Sequence, residues 1–189
     1  MLHLASRSPR RAELLARLGL DFGVIDLDLP ERQGPGEAAS EYVRRVAREK
    51  AGAGLLEVMT VPGAAVLGAD TEVILDGRVF GKPADAGEAA AMLRALAGRT
   101  HEVITAVSLV SAGREAQAVS TSLVRVAPMT EAEIQAYLAS GEWEGKAGAY
   151  AIQGRFQARV EHLDGSYSGV MGLPLFETSG LLKQFGLLP

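Results

Sequence analysis

The 189-residue chain has no cysteine. That excludes disulfides, thiolate metal sites and cysteine nucleophiles, and it fits a reducing compartment. Its three histidines, His3, His101 and His162, do not stand at metal-ligand spacing, so a histidine-based zinc site is not expected. No apolar run approaches the roughly 20 residues of a membrane span. The start, Met1–Arg11, places its charge after a short apolar piece, so a secretory signal is not expected and a cytoplasmic location is the default. Aromatic residues make up only 5% of the chain and the net charge is −4; with no aromatic-basic face, a nucleic-acid or anionic-membrane partner is not expected. Any anion site must then be a local cluster of Lys and Arg. Neither Gly-x-x-x-x-Gly-Lys-[Ser/Thr], Gly-x-Gly-x-x-Gly nor Gly-x-Ser-x-Gly occurs, so P-loop, dinucleotide-fold and hydrolase-elbow readings lack support.

What is present is an alternation of strand and helix patterns. Hydrophobic content is 48% and charged content 22%, ordinary for a soluble enzyme or binding protein. The stretch Val66–Pro83 predicts a short strand ending in Gly68-Ala69-Asp70-Thr71, then a second strand at Glu72–Leu75. Asp76-Gly77 follows as a tight turn, and Arg78–Phe80 returns toward Gly81-Lys82-Pro83. This hairpin brings an acid, Asp70, and a base, Lys82, to the ends of strands, where sites are commonly built. From the residues alone, Asp70 as a turn residue and Lys82 as a solvated cation remain equally open.

Leu2–Ala5 predicts a first strand, and Ala12–Gly19 a helix with Leu14, Leu15 and Leu18 on one face. Ser8 is placed to cap that helix and Pro9 to fill its first position. Arg7, Arg10 and Arg11 crowd the same turn. Cations at a helix N-terminus oppose the dipole, so an anion neutralising them is favoured over a solvated rim. A strand over Asp21–Leu29 leads into the loop Pro30–Gly36, which carries Glu31 without an assignable partner. A long helix is predicted over Glu37–Leu56, with Tyr42, Val43, Val46, Ala47 and Ala51 inward and Lys50 beside that stripe. Lys50 either reaches a cleft or snorkels.

A helix over Ala84–Ala97 precedes a strand over Thr100–Ser111 that is apolar on both faces and so central. Ala116–Val126 returns nearer the sheet edge, and Thr130 and Glu133 form a capping box for a helix over Glu131–Ala139. Tyr150–Gly154 reads as the end of a strand, with Gln153 placed to read a ligand's polar edge or to be an ordinary strand-end residue. Arg155–Leu163 continues as strand, and Leu175–Phe185 closes as helix. No linker or repeat divides the chain, so residues 1–189 read as one α/β domain with a mixed, twisted sheet and flanking helices. The cations Arg10, Arg11, Lys50 and Lys82, with Asp70 and Glu31, suit a phosphorylated substrate and a divalent ion held by few carboxylates.

Six segments carry a resemblance. They are Leu4–Arg11, Gly68–Thr71, Gly81–Pro83, Gly98–Thr105, Lys146–Gly154 and Gly169–Leu175. In this order they resemble the Maf family of nucleoside triphosphate pyrophosphatases over nearly the whole chain. The resemblance implies two lobes around a cleft, similar to inosine triphosphate pyrophosphatases. It implies hydrolysis of a triphosphate to monophosphate and pyrophosphate with Mg²⁺ or Mn²⁺. Asp70 would be the proton acceptor. Arg10, Thr71 and Gln153 would select the base. Ser8, Arg11, Lys50 and Lys82 would contact phosphates, and Asp70 and Glu31 would hold the metal.

The Asp-Thr and Ile-Gln-Gly pairs look like the branch acting on dTTP and UTP, with modified pyrimidine triphosphates as further candidates. A Gln amide can both donate to and accept from the O4/N3–H edge of thymine or uracil. Arg155–Arg159 and Glu72 depart from the family's usual pattern. A homodimer is an expectation carried from similar folds. The alternative function is a nucleotide-binding regulator of septum formation and cell division, with weak catalysis.

Overall fold

Apolar residues line both faces of two long strands, and the rest of the sheet grows outward from that pair. The computed structural model describes all 189 residues. In chain order the elements are β1 (Leu2–Ala5), α1 (Pro9–Ala16), β2 (Phe22–Ile25), α2 (Ala39–Glu57), β3 (Ala65–Leu75), β4 (Arg78–Phe80) and α3 (Ala86–Leu96). They continue with β5 (Thr100–Ser111), β6 (Arg114–Val126), α4 (Glu131–Leu138), β7 (Val160–Asp164), α5 (Tyr167–Met171) and α6 (Leu175–Gln184). The sheet runs β2-β1-β3-β5-β6-β7, with β4 added to the far end of β3. β1 is parallel to both β2 and β3, and every other pairing is antiparallel. The sheet is therefore mixed, as expected, and β5 is central. No helix is long and apolar enough to cross a membrane.

Alternation along β3 divides the molecule. Ala65, Leu67, Ala69, Val73 and Leu75 face a core of 30 buried residues that also holds Leu14, Leu93, Leu173 and Leu182. The even positions face α2, where Val43 and Ala47 pack with Ile74, and Ala51 with Val66. α2 buries Val43, Val46, Ala47, Lys50, Ala51 and Gly54 at helical spacing. Lys50 lies within the stripe, one turn beyond Val46 and Ala47, not beside it.

The predicted break between two short strands at Asp70 does not occur. β3 is continuous for 11 residues, because β5 pairs with it from Ala65 through Ile74. On its other edge, β1 ends its register at Gly68 and β4 begins at Val73. Residues 69–72 therefore have a strand on one side only. The Asp76-Gly77 turn is as predicted, with positive φ at both residues (52° and 75°).

Two further strand expectations are corrected. Residues 150–154 form a loop, and Arg155–Arg159 is a 3₁₀ turn before β7. Aromatic packing replaces ladder bonds there. The Tyr150 and Phe156 rings lie 4.6 Å apart, Tyr137 and Phe156 5.1 Å, and the Ala151 N–H donates to the Tyr137 hydroxyl at 3.1 Å. Ser8 is the N-cap residue of α1, but its hydroxyl makes no cap bond. The Ser8 N–H instead donates to Ser6 Oγ at 3.1 Å.

Gly68 sets how closely α2 can lie on β3. A Cβ there would stand 2.4 Å from the Ala47 carbonyl oxygen and 2.6 Å from the Ala51 nitrogen. Both are backbone atoms of the turn that carries Lys50, so neither can swing aside. Gly68→Ala is expected to push α2 off the sheet, lowering stability by about 1–3 kcal/mol or more and the melting temperature by about 2–12 °C. Gly180 in α6 has nothing within 4 Å of its would-be Cβ. Gly180→Ala should be neutral or stabilising by up to about 1 kcal/mol. Thermal unfolding of the two variants checks this; equal melting temperatures would refute the close-approach account.

Candidate active site

The bare edge of β3 opens into a cleft of about 380 Å³, within the range of small-molecule sites. Its walls are the turn after β1 (Ser6–Arg11), the middle of β3, the Glu144–Gln153 loop, and Val170–Gly172 at the end of α5. Six basic side chains (Arg7, Arg10, Arg11, Lys50, Lys82, Lys146) line it against three acidic ones (Glu31, Asp70, Glu144). The local cluster of cations expected from a net-negative chain is present.

On the α2 face, four charges alternate. Lys50 Nζ donates to Asp70 Oδ1 at 2.8 Å and meets Glu31 Oε1 at 2.8 Å. Lys82 Nζ donates to Glu31 Oε2 at 3.2 Å. The Lys50 and Asp70 side chains are 10% and 3% exposed, whereas Lys82 is 58% exposed. Glu31, which lacked a partner in sequence, joins the two lysines. Burial pushes its carboxyl up, but Lys50 and Lys82 outweigh that and hold it below the ordinary value. Asp70 Oδ2 is buried and has no hydrogen-bond partner in the protein. It is the one uncommitted carboxylate oxygen among the four groups.

On the opposite face, Arg11 is fixed by neutral groups. Its Nε donates to the Gly172 carbonyl at 2.8 Å and its Nη2 to Thr71 Oγ1 at 3.2 Å. Three of its five N–H donors remain uncommitted. Burial pulls the Arg11 guanidinium below its ordinary value, against the charges of Asp70, Glu31 and Glu72. Gly172 ends α5 in the left-handed region, with φ of 117°, which turns the chain tightly at the point that receives Arg11.

The remaining expected residues flank these two clusters. Arg10 is half-buried beside Arg11, and burial, then that neighbour, pulls its guanidinium down. Ser8 lines the cleft with its hydroxyl free of the helix cap. Gln153 stands exposed at the rim, with no side-chain hydrogen bond inside the chain. All the expected residues thus border one cleft, but adjacent Asp70 and Thr71 work from opposite faces of β3. Lys146 was not singled out from sequence. Burial, then Arg10, pulls its ammonium down. A lysine opening a Gly-rich loop was the available signal.

Residues 1–185 match the family described as Maf-like protein. The chain belongs to the Maf family. The dTTP/UTP pyrophosphatase of Xanthomonas euvesicatoria pv. vesicatoria (strain 85-10) is 59% identical over 188 residues, 98% of this chain and 99% of that one. The nucleoside triphosphate pyrophosphatase of Xylella fastidiosa (strain 9a5c) is 59% identical over 186 residues, 98% of each chain. Among solved structures, the Ham1 protein of Staphylococcus aureus superposes with a TM-score of 0.44 at 16% identity, over 67% of this chain and 71% of that one, too slight a likeness to carry an argument.

Glu72 lies under this site. It shares the α2 face of β3 with Asp70, is 6% exposed, and its Oε2 has no partner. Burial, then Asp70 and Glu31, pushes its carboxyl up to about 8, against the pull of Lys82 and Lys50. Below pH about 4.5 the group is protonated folded and unfolded, and its ionisation adds no cost. Between about 4.5 and 8 the unfolded chain ionises it first, so folding stability falls as pH rises; above 8 the full cost is reached. Glu72→Gln should therefore gain on the parent by an amount that grows across pH 5–8 and levels off above it, on the order of a few kcal/mol. Urea unfolding at several pH values in chelator reads this. A constant offset between the two proteins would count against a buried, proton-binding Glu72.

Proposed function

We propose that this protein hydrolyses pyrimidine nucleoside triphosphates, dTTP and UTP foremost, to the monophosphate and pyrophosphate. The reading is supported by the names of relatives 58–59% identical across almost the whole chain and by the cation excess in the cleft. The observation that carries it is Asp70 Oδ2, a buried acceptor with no partner, beside a lysine that already holds Oδ1. A binding protein has no use for such an acid among phosphate-seeking cations. The regulator alternative is therefore not preferred.

In this reading, Asp70 accepts a proton from water as the water oxygen adds to phosphorus, and the phosphorus–oxygen bond to pyrophosphate breaks. Lys82, Arg11, Ser8 and the third N–H of Lys50 receive the phosphate oxygens and the charge of the leaving pyrophosphate. Gln153, unpaired at the rim, reads the pyrimidine edge with an amide that both donates and accepts. Arg10 and Lys146 close the cleft beside it.

A divalent cation fits the donor set. Of the three neighbouring carboxylates, Asp70 and Glu31 line the cleft and Glu72 does not, so the chain would offer the ion at most those two. Mg²⁺ commonly takes one or two carboxylates with substrate phosphates, and Glu31 Oε2, held only by the exposed Lys82, would be its donor from the chain once that lysine meets phosphate, leaving Asp70 Oδ2 to the proton. When bound, the ion would neutralise phosphate charge.

A panel of nucleoside triphosphates assayed for pyrophosphate with Mg²⁺ or Mn²⁺ tests the reading; dTTP and UTP should lead. Release of single phosphate, or no turnover of any triphosphate, would refute it. Asp70→Asn should retain nucleotide binding within a few-fold and lose turnover by about a hundredfold or more. Gln153→Ala should reorder the bases more than it slows the best substrate. An unchanged base ranking would remove Gln153 from recognition.

A further inference from the structure

Behind Arg11 lies a short chain of hydroxyls. Thr71 Oγ1 is 2.9 Å from Thr105 Oγ1, and Thr105 Oγ1 donates to the Gly169 carbonyl at 2.8 Å. Thr105 is fully buried in the middle of β5, directly across the ladder from Thr71. Each hydroxyl has one proton. A carbonyl can only accept, so the Thr105 proton is spent on Gly169. The Thr71 proton must then go to Thr105. Thr71 is left facing the cleft as an acceptor alone, and it takes the Arg11 Nη2–H at 3.2 Å. The order of donation is fixed from Arg11 through Thr71 and Thr105 to the backbone of α5.

We propose that Thr105 is a positioning residue for Arg11, acting through the proton direction of Thr71. Two carbonyls of one short segment hold the same guanidinium, Gly172 directly and Gly169 through the relay. Neither carries a formal charge, so Arg11 is oriented while its charge stays available to an anion. Were the Thr71 proton to turn outward, it would point at the guanidinium and repel it. The Thr105 acceptor holds it in the other direction. This rests on Arg11 as a phosphate ligand, as read above.

Thr105→Val keeps shape and removes the relay's acceptor; Thr105→Ser restores it. With the best triphosphate, Thr105→Val should raise KM about tenfold while kcat changes less than threefold, and Thr105→Ser should stay within about twofold of the parent. Thr71→Val removes the acceptor of Arg11 itself, so its effect should be at least that of Thr105→Val, and the double variant should be no worse than Thr71→Val alone. If Thr105→Val does not fold, Thr71→Val carries the test, with melting temperatures recorded for all.

The nuclear magnetic resonance signal of the Arg11 Nη2–H that meets Thr71, assigned by its loss in Arg11→Lys, reads the relay without substrate. It should be sharp in the parent and in Thr105→Ser, and broadened or lost in Thr105→Val. A parent-like signal in the folded Thr105→Val variant, or in Thr71→Val should Thr105→Val not fold, overturns the proposal, as do additive effects in the double variant. A lost signal with an unchanged KM overturns the phosphate role of Arg11 and leaves the relay standing.

Discussion

The ammonium of Lys50, held out of water between two carboxylates, is the interaction on which the site depends. A buried ion pair gains little net stability, because desolvation offsets attraction, yet losing one partner strands the other at a cost of about 3–5 kcal/mol. Asp70 sits mid-strand on an apolar sheet face, and Lys50 makes that position tolerable. Lys50 in turn reaches Asp70 only because α2 lies close against β3, which needs a residue without a side chain at Gly68. A glycine on the strand, a lysine in an apolar helical stripe and an acid two residues beyond the glycine form one device.

The gap in β3's outer edge does the rest. A strand normally hides one face from the other, since partners on both edges seal it. Here β1 stops at Gly68 and β4 starts at Val73. Between them, consecutive side chains pointing to opposite faces both border the cleft. One strand thus presents an ion-paired acid on the α2 side and, through Thr71, a cation held by uncharged acceptors on the α5 side.

Most of the elements were legible from residue pattern. β1, β5, the Asp76-Gly77 turn, the Thr130–Glu133 capping box and α2 follow from alternation, positive-φ chemistry and helical spacing. Tyr150–Gly154 misled because aromatic packing, not a ladder, orders it, and residue spacing does not distinguish the two. The break at Asp70 misled because β5 pairs through it. α5 was not anticipated; the five residues Tyr167–Met171 are too few to show a helical period. For the site, the local pattern reached only a phosphate-handling α/β chain, and the motif resemblance supplied the roles. Neither could reveal that Glu31 links Lys50 to Lys82, or that Thr71 and Thr105 share one proton path, because both join residues tens of positions apart.

The two cation groups are prepared differently, and that difference suggests how a triphosphate would be received. Arg11 is held by uncharged acceptors, so it needs to shed no counter-ion before meeting phosphate. Lys82 is paired with Glu31, but at 58% side-chain exposure such a pair contributes only about 0–1 kcal/mol. A triphosphate oxygen can take Glu31's place there at little cost. Lys50 is enclosed and already gives two of its three N–H groups to Asp70 and Glu31. Parting it from Asp70 would strand a buried carboxylate, so its remaining N–H is what the phosphate meets. Lys82 can therefore move with substrate while Lys50 stays to fix the acid, which separates binding from the geometry of proton transfer within one four-charge chain.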